Sequence, residues 1–447
     1  VKGFLYGVGL ASLVLFSACS GGNGPGAGSC DPVGQGTLQV SIGGLPPGVS
    51  ARVGVSGPGF SQVLTASQSL SLGGGSYTIA VKKTTSPVDA STVVRTAYAG
   101  TSDRSQVCVR NNETAQVTVT YSQIPSSSKL WTNNRPPKSA GDPPTHGYAG
   151  VSLLASGTVA ETVGAGTVSS RDLTFDADGN LWVIGGTTVD PNLARYPAGG
   201  LGTSGSKTRD RSININGISC SPGPARLAFD GGGNLWVSVP CADKVVRVGA
   251  AQLEASGSVT PGVEITGLDG PEGLAFDGSG NLWIANAGAK RVVKFNASRL
   301  GASTSGPDLT IESKTPGPVI GTLDATLLAF DASGNLWVVD FGGNVLYRLS
   351  SSDQSGNGSK TLTPAIQVSV PVSALLEGMA FDEGGGLWIS YSAGKFARLS
   401  PSQLAMGSSP GSPTVPERVI EGGNLGYANA IVFYPAPAGL PLFHRLP

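Results

Sequence analysis

The stretch LAFDGSGNLWIANA, starting at Leu274, is one of five near copies in the chain. The others start at Leu173 (LTFDADGNLWVIGG), Leu227 (LAFDGGGNLWVSVP), Leu328 (LAFDASGNLWVVDF) and Met379 (MAFDEGGGLWISYS). A catalytic centre needs its groups once, at converging positions, so a motif used five times builds architecture. All six tryptophans follow a leucine: Trp131, Trp182, Trp236, Trp283, Trp337 and Trp388, at spacings of 51, 54, 47, 54 and 51 residues. A period of this size marks repeated supersecondary units. Each full unit carries four strand-like runs, as in GLAFD, NLWIAN, RVVKFN and DLTIE. Four strands per unit, arranged radially, make a propeller blade. The 67 glycines and the low charged fraction of 13% suit short strands joined by tight turns. The predicted fold class is all-β: a six-bladed β-propeller preceded by a small β-sandwich domain.

The two ends of the repeat region complement each other. Trp131 has no AFD run before it. Near the C-terminal end, AIVFYPAPAGLPLF carries a first-strand pattern, with Tyr434 at the aspartate position and no complete unit after it. Ile431 to Phe433 is therefore expected to join the sheet of Trp131, closing the ring and removing exposed sheet edges. SLLASGTV at 152, mirroring QLEASGSV at 252, supports a real blade there. A competing register would put LPLF in place of the Trp131 strand, but Pro441 would then occupy the tryptophan position of a central strand.

Upstream of the repeats the composition changes. Lys2 and the short apolar run Phe4 to Phe16 read as a secretion signal, too short to span a membrane comfortably. Ser17, Ala18 and Cys19 resemble the lipobox of bacterial lipoproteins, with Phe16 where that family prefers leucine. The resemblance implies lipidation of Cys19, with the membrane as a partner through the lipid anchor and the bacterial cell envelope as the location. The plainer alternative is a cleaved signal with an incidental cysteine. Residues 1–18 are thus the expected signal peptide and 19–36 a glycine-rich tether. Residues 37–122 form a β-sandwich-like domain of alternating strands, resembling modules of bacterial surface proteins. Residues 123–128 read as a linker and 129–447 as the propeller. Without Cys19, four cysteines remain. Cys30 and Cys108 share the N-terminal segment, and Cys220 and Cys241 flank one predicted hairpin, so disulfides are expected in an exported chain. Zinc is disfavoured, with two histidines and no CxxC pair. A formal net charge of zero and the lack of a basic stripe argue against nucleic acid as a partner.

Within FDGSGNLW, Asp277 is expected to cap a tight turn by accepting backbone N–H groups just ahead of it. Gly280 supplies a positive φ, and Trp283 fills space between blades. Asp176, Asp230, Asp331 and Asp382 take the role of Asp277 in the other copies. Calcium, suggested by DADGN at 176–180, would need further oxygen ligands and a late glutamate that the loop lacks.

LAFDGSGNLWIANAGAKRVVKF resembles NHL repeats and is similar to units of six-bladed gluconolactonase and streptogramin-lyase-like propellers. The gluconolactonase resemblance implies a divalent metal such as calcium or magnesium at the channel mouth. Its ligands would come from residues five before each aspartate position: Arg171, Ala225, Glu272, Thr326, Glu377 and Asn429. Glu272, Glu377 and Asn429 offer oxygens to a hard cation. Arg171 opposes one, and Ala225 and Thr326 dilute the site, so the family pattern is half met. The lyase branch implies a channel histidine, yet His146 and His444 occupy no repeat position. No nucleophile elbow, phosphate loop or zinc-protease helix is present, and no catalytic residue is assigned. Two functions follow. The first is a non-enzymatic cell-envelope lipoprotein whose propeller binds a protein, glycan or other extracellular ligand. The alternative is a metal-dependent lactonase or lyase acting at the channel mouth.

Overall fold

In the computed structural model, residues 30, 33–134, 147–151, 163–164, 170–185, 193–220, 225–313, 325–340, 345–364, 366–370, 376–391, 394–409, 411–421, 428, 430–437 and 440 are described. Among the described residues, six sheets form a ring. The first strands of successive blades, Ser170–Phe175, Leu227–Phe229, Pro271–Phe276, Ala325–Phe330, Leu376–Phe381 and Ile431–Tyr434, touch one another in that order, and the last returns to the first. Each then pairs antiparallel with the strand that carries a motif tryptophan. In the blade of Trp131 this first strand comes from the C-terminal side: Ile431–Tyr434 lies against Lys129–Asn134, with Trp131 opposite Val432. The chain is a β-propeller.

Alternating side chains explain why the blades stack. Leu173 and Phe175 face the blade of Trp131, while Trp182 and Ile184 of the same blade face Leu227 and Phe229 of the next. The indoles of Trp131, Trp182, Trp236, Trp283 and Trp337 sit against Phe175, Phe229, Phe276, Phe330 and Phe381, at centroid distances of 5.5, 6.2, 6.1, 6.3 and 6.4 Å. All six tryptophans are buried. Removing one such side chain costs about 3–5 kcal/mol. Three blades also lend a short strand to their predecessor. Gly257–Val259, Thr304–Ser305 and Gly358–Leu362 pair in parallel with the outer strand of the preceding blade.

The motif aspartate does more than cap its turn. In the copy at 277, Oδ1 accepts the N–H groups of Ser279 and Asn281. Oδ2 accepts Asn281 Nδ2 at 2.8 Å and the indole Nε1 of Trp283 at 3.0 Å. The same indole bond recurs at Asp176, Asp230, Asp331 and Asp382. A cation on the third strand covers the other side of the ring: Arg195, Arg247 and Lys294 lie 5.5, 5.8 and 5.5 Å from the indole centroids of Trp182, Trp236 and Trp283. Trp131, with no aspartate before it, donates instead to the backbone carbonyl of Ser126 at 2.8 Å.

That substitution ties the N-terminal sheets to the ring. Two sheets, of five and four strands, share one core that includes Leu38, Val53, Val55, Tyr77, Val117 and Val119. Alternate burial along Gln35–Gly43 shows one face turned inward. From these sheets Ala97 and Ile124 enter the core around Trp131, and Val94 enters that around Trp388. Lys83 reaches Asp178 and the Ala177 carbonyl, and the Glu383 N–H donates to the Val93 carbonyl. Gly179, at φ 82°, has no room for a side chain: a Cβ there would lie 2.8 Å from both Ile124 and Ser126. These contacts fall on the blades beside the ring closure. Cys30 is bonded to Cys108 and Cys220 to Cys241, with Cα separations of 5.5 and 6.0 Å.

Candidate functional site in the central channel

The first strands line a channel of about 160 Å³ with stacked rings of side chains. One ring is aliphatic: Leu173, Leu227, Leu274, Leu328, Met379 and Ile431. The next is small: Thr174, Ala228, Ala275, Ala329, Ala380 and Val432. Each member of the small ring pairs across the strand with a motif tryptophan. The alanine of LAFD is therefore the residue that keeps the channel open beside a bulky indole. Pro437 and Leu440, which follow the closing strand, also line the channel.

The polar groups come from the residue before the aliphatic ring. These positions hold Asp172, Arg226, Gly273, Leu327, Gly378 and Ala430. Asp172 and Arg226 occupy the same place in successive units, so the ring brings them together. Asp172 is 8% exposed; its Oδ2 accepts the Leu227 N–H at 2.7 Å, and Arg226 Nη1 lies 3.7 Å from its Oδ1. Arg226 Nη2 donates to the backbone carbonyl of Glu377 at 3.1 Å. That carbonyl belongs to the blade three places around the ring, so the guanidinium crosses the channel. The Arg226 backbone is held by the buried Ser238, whose hydroxyl accepts its N–H at 3.0 Å. Burial pushes the Asp172 carboxyl up to about 6, against the opposing pull of Arg226 and the Leu227 N–H.

The residues expected at the mouth stand one position away. Arg171, Ala225, Glu272, Thr326 and Glu377 are not among the channel-lining residues, and Asn429 lies outside the described residues. The reason is a β-bulge. Pairing with the second strand shifts between Ser170 and Asp172, Pro271 and Leu274, Ala325 and Leu327, and Leu376 and Gly378. An extra residue in one strand re-aims the side chains around it, so in these four blades the position five before the aspartate falls outside the lining. Glu272 and Glu377 are half-buried, in blades two places apart. Among the described residues, no group of three or more His, Cys, Asp and Glu is placed to hold a metal. Cys19, His146 and His444 lie outside the described residues. Sequence reasoning missed Asp172 and Arg226, although opposite charges at one repeat position of adjacent units were a readable signal.

No protein-family model matches this chain, and no curated protein matches it. Solved structures match it at low identity and low overall superposition. A streptogramin B lyase is 15% identical, with 53% of this chain and 66% of the lyase covered and a TM-score of 0.37. A chain of the nidogen/laminin complex is 12% identical, with 68% and 97% covered and a TM-score of 0.45. A protein of unknown function from Bacteroides caccae is 10% identical, with 68% and 98% covered and a TM-score of 0.43.

Proposed function

We propose that this chain is an exported, lipid-anchored propeller of the cell envelope that binds an extracellular ligand at its channel and does no chemistry on it. The observation that carries the binding reading is the channel: a mostly apolar tube crossed by the Asp172–Arg226 ion pair. Both partners of that pair are already engaged, Asp172 with Arg226 and the Leu227 N–H, and Arg226 with Asp172 and the Glu377 carbonyl. Groups so committed suit recognition better than proton transfer. The export reading is supported by the apolar run before Cys19 and by the pairing of the other four cysteines, which fits an oxidising compartment. Radiolabelled palmitate fed to expressing bacteria should enter the protein and remain with the membrane fraction. Cys19→Ser should abolish the label and release the chain. Recovery of intact, unlabelled protein from the cytoplasm would refute the anchored reading.

A further inference from the structure

We infer that the channel takes a small uncharged molecule, apolar over most of its surface and carrying one carbonyl or hydroxyl group, anchored by Arg226. This deepens the binding reading above and rests on it. The volume of about 160 Å³ sets the size; an aliphatic-lined cavity of about 150 Å³ accommodates a benzene-sized molecule. The walls set the polarity: the aliphatic and small rings make most of the lining apolar, with polar atoms from Asp172, Thr174, Arg226 and the strand edges making up the rest. The charge follows from the ion pair. Asp172 and Arg226 neutralise one another, so a carboxylate or ammonium would bring an unmatched charge into an apolar space, which is costly. The head group follows from what the guanidinium already does. Arg226 donates to a peptide carbonyl across the channel, so a ligand carbonyl or hydroxyl oxygen is an equivalent acceptor.

The chain has two methionines, and they make an internal control. Met379 belongs to the channel wall, while Met406 ends a surface helix and is 77% exposed. Protein labelled with ¹³C-methyl methionine would be titrated with cyclohexanone, cyclohexanecarboxylate and cyclohexylammonium, which share a ring and differ in head group. Cyclohexanone is expected to shift the Met379 methyl saturably, with a Kd of about 1–10 mM, as befits seven heavy atoms, and to leave Met406 in place. The charged analogues should bind at least about tenfold more weakly, and Arg226→Leu should weaken cyclohexanone binding at least about threefold. A Met379 signal unmoved by cyclohexanone would overturn the inference. So would charged analogues binding equally well, or an Arg226→Leu variant of unchanged affinity. Anchorage is read separately by the palmitate label. A protein or glycan found to bind while cyclohexanone leaves Met379 unmoved would refute this inference and spare the binding reading.

Discussion

The five motif copies contain their own mutational experiment. In four of them the residue four past the aspartate is asparagine, and its Nδ2 donates to that carboxylate. In the fifth it is Gly386, and the guanidinium of Arg398 occupies the space: Nε lies 2.5 Å from Asp382 Oδ2 and Nη2 3.1 Å from Oδ1. A Cβ on Gly386 would meet that guanidinium at 2.3 Å. The Asp382 side chain is fully buried and that of Arg398 is 10% exposed. Arg398→Lys alone removes the fork and leaves the carboxylate short of donors. Truncating a buried pair costs about 3–5 kcal/mol, and retaining a cation brings this down to about 2. Gly386→Asn alone has to push the guanidinium aside, toward the place Arg195 and Arg247 take over their indoles beside Asn180 and Asn234, at about 1 kcal/mol. Together the two changes rebuild the set found at Asp277, where Asn281 and Lys294 accompany Trp283. A lysine at 398 can keep its ion pair with Glu417, so the double variant should lie within about 1 kcal/mol of the parent, a coupling of about 2 kcal/mol. Urea unfolding of the four chains, followed by tryptophan emission with both disulfides intact, measures it. Single-variant costs that add within about 0.5 kcal/mol would refute the idea that Arg398 stands in for the missing asparagine.

Asp172 predicts a pH dependence of unusual sign. Its folded-state value of about 6 lies above the ordinary 3.8, so between those values the folded chain holds a proton that the unfolded chain has lost. Its contribution to stability therefore falls as pH rises from about 4 to 6 and is level above that, by up to about 3 kcal/mol. The difference in stability between the parent and Asp172→Asn, measured by urea unfolding from pH 4 to 7, should drift in that direction; a flat or rising difference would contradict the burial argument. The Cys220–Cys241 bond spans a sequence separation of 21 residues, and a loop of that length is worth about 3 kcal/mol. Cys220→Ser with Cys241→Ser should lower the thermal midpoint by several degrees, and peptide mapping under non-reducing conditions should find the two parent residues linked.

What the sequence made legible follows from what repeats. The propeller was readable because each unit restates the same four runs. The strand at Ile431–Phe433 could be placed beside Trp131 because the two deficits match. The indole–aspartate bond, the third-strand cation over three of the indoles and the Arg398 exchange were harder to see. They join residues 6 or 16 positions apart, or lie across a strand pair, and hydrophobic periodicity says nothing about a side-chain hydrogen bond. The channel lining was hard to read for a different reason. The gluconolactonase resemblance carries over the positions five before each aspartate, and in four of the blades a bulge falls just before the aliphatic ring position. That single step moves attention from Arg171, Glu272 and Glu377 to Asp172 and Arg226. It also changes the chemistry under consideration, from oxygens offered to a cation to a carboxylate and a guanidinium that satisfy each other. The repeats build a ring that is nearly the same in every blade, and specificity enters where one position departs from the rest. Asp172 and Arg226 are charged at a place where the other four blades carry glycine, leucine, glycine and alanine. A ligand in the channel meets the sharpest contrast between blades there, beyond the milder ones at Thr174, Met379, Ile431 and Val432.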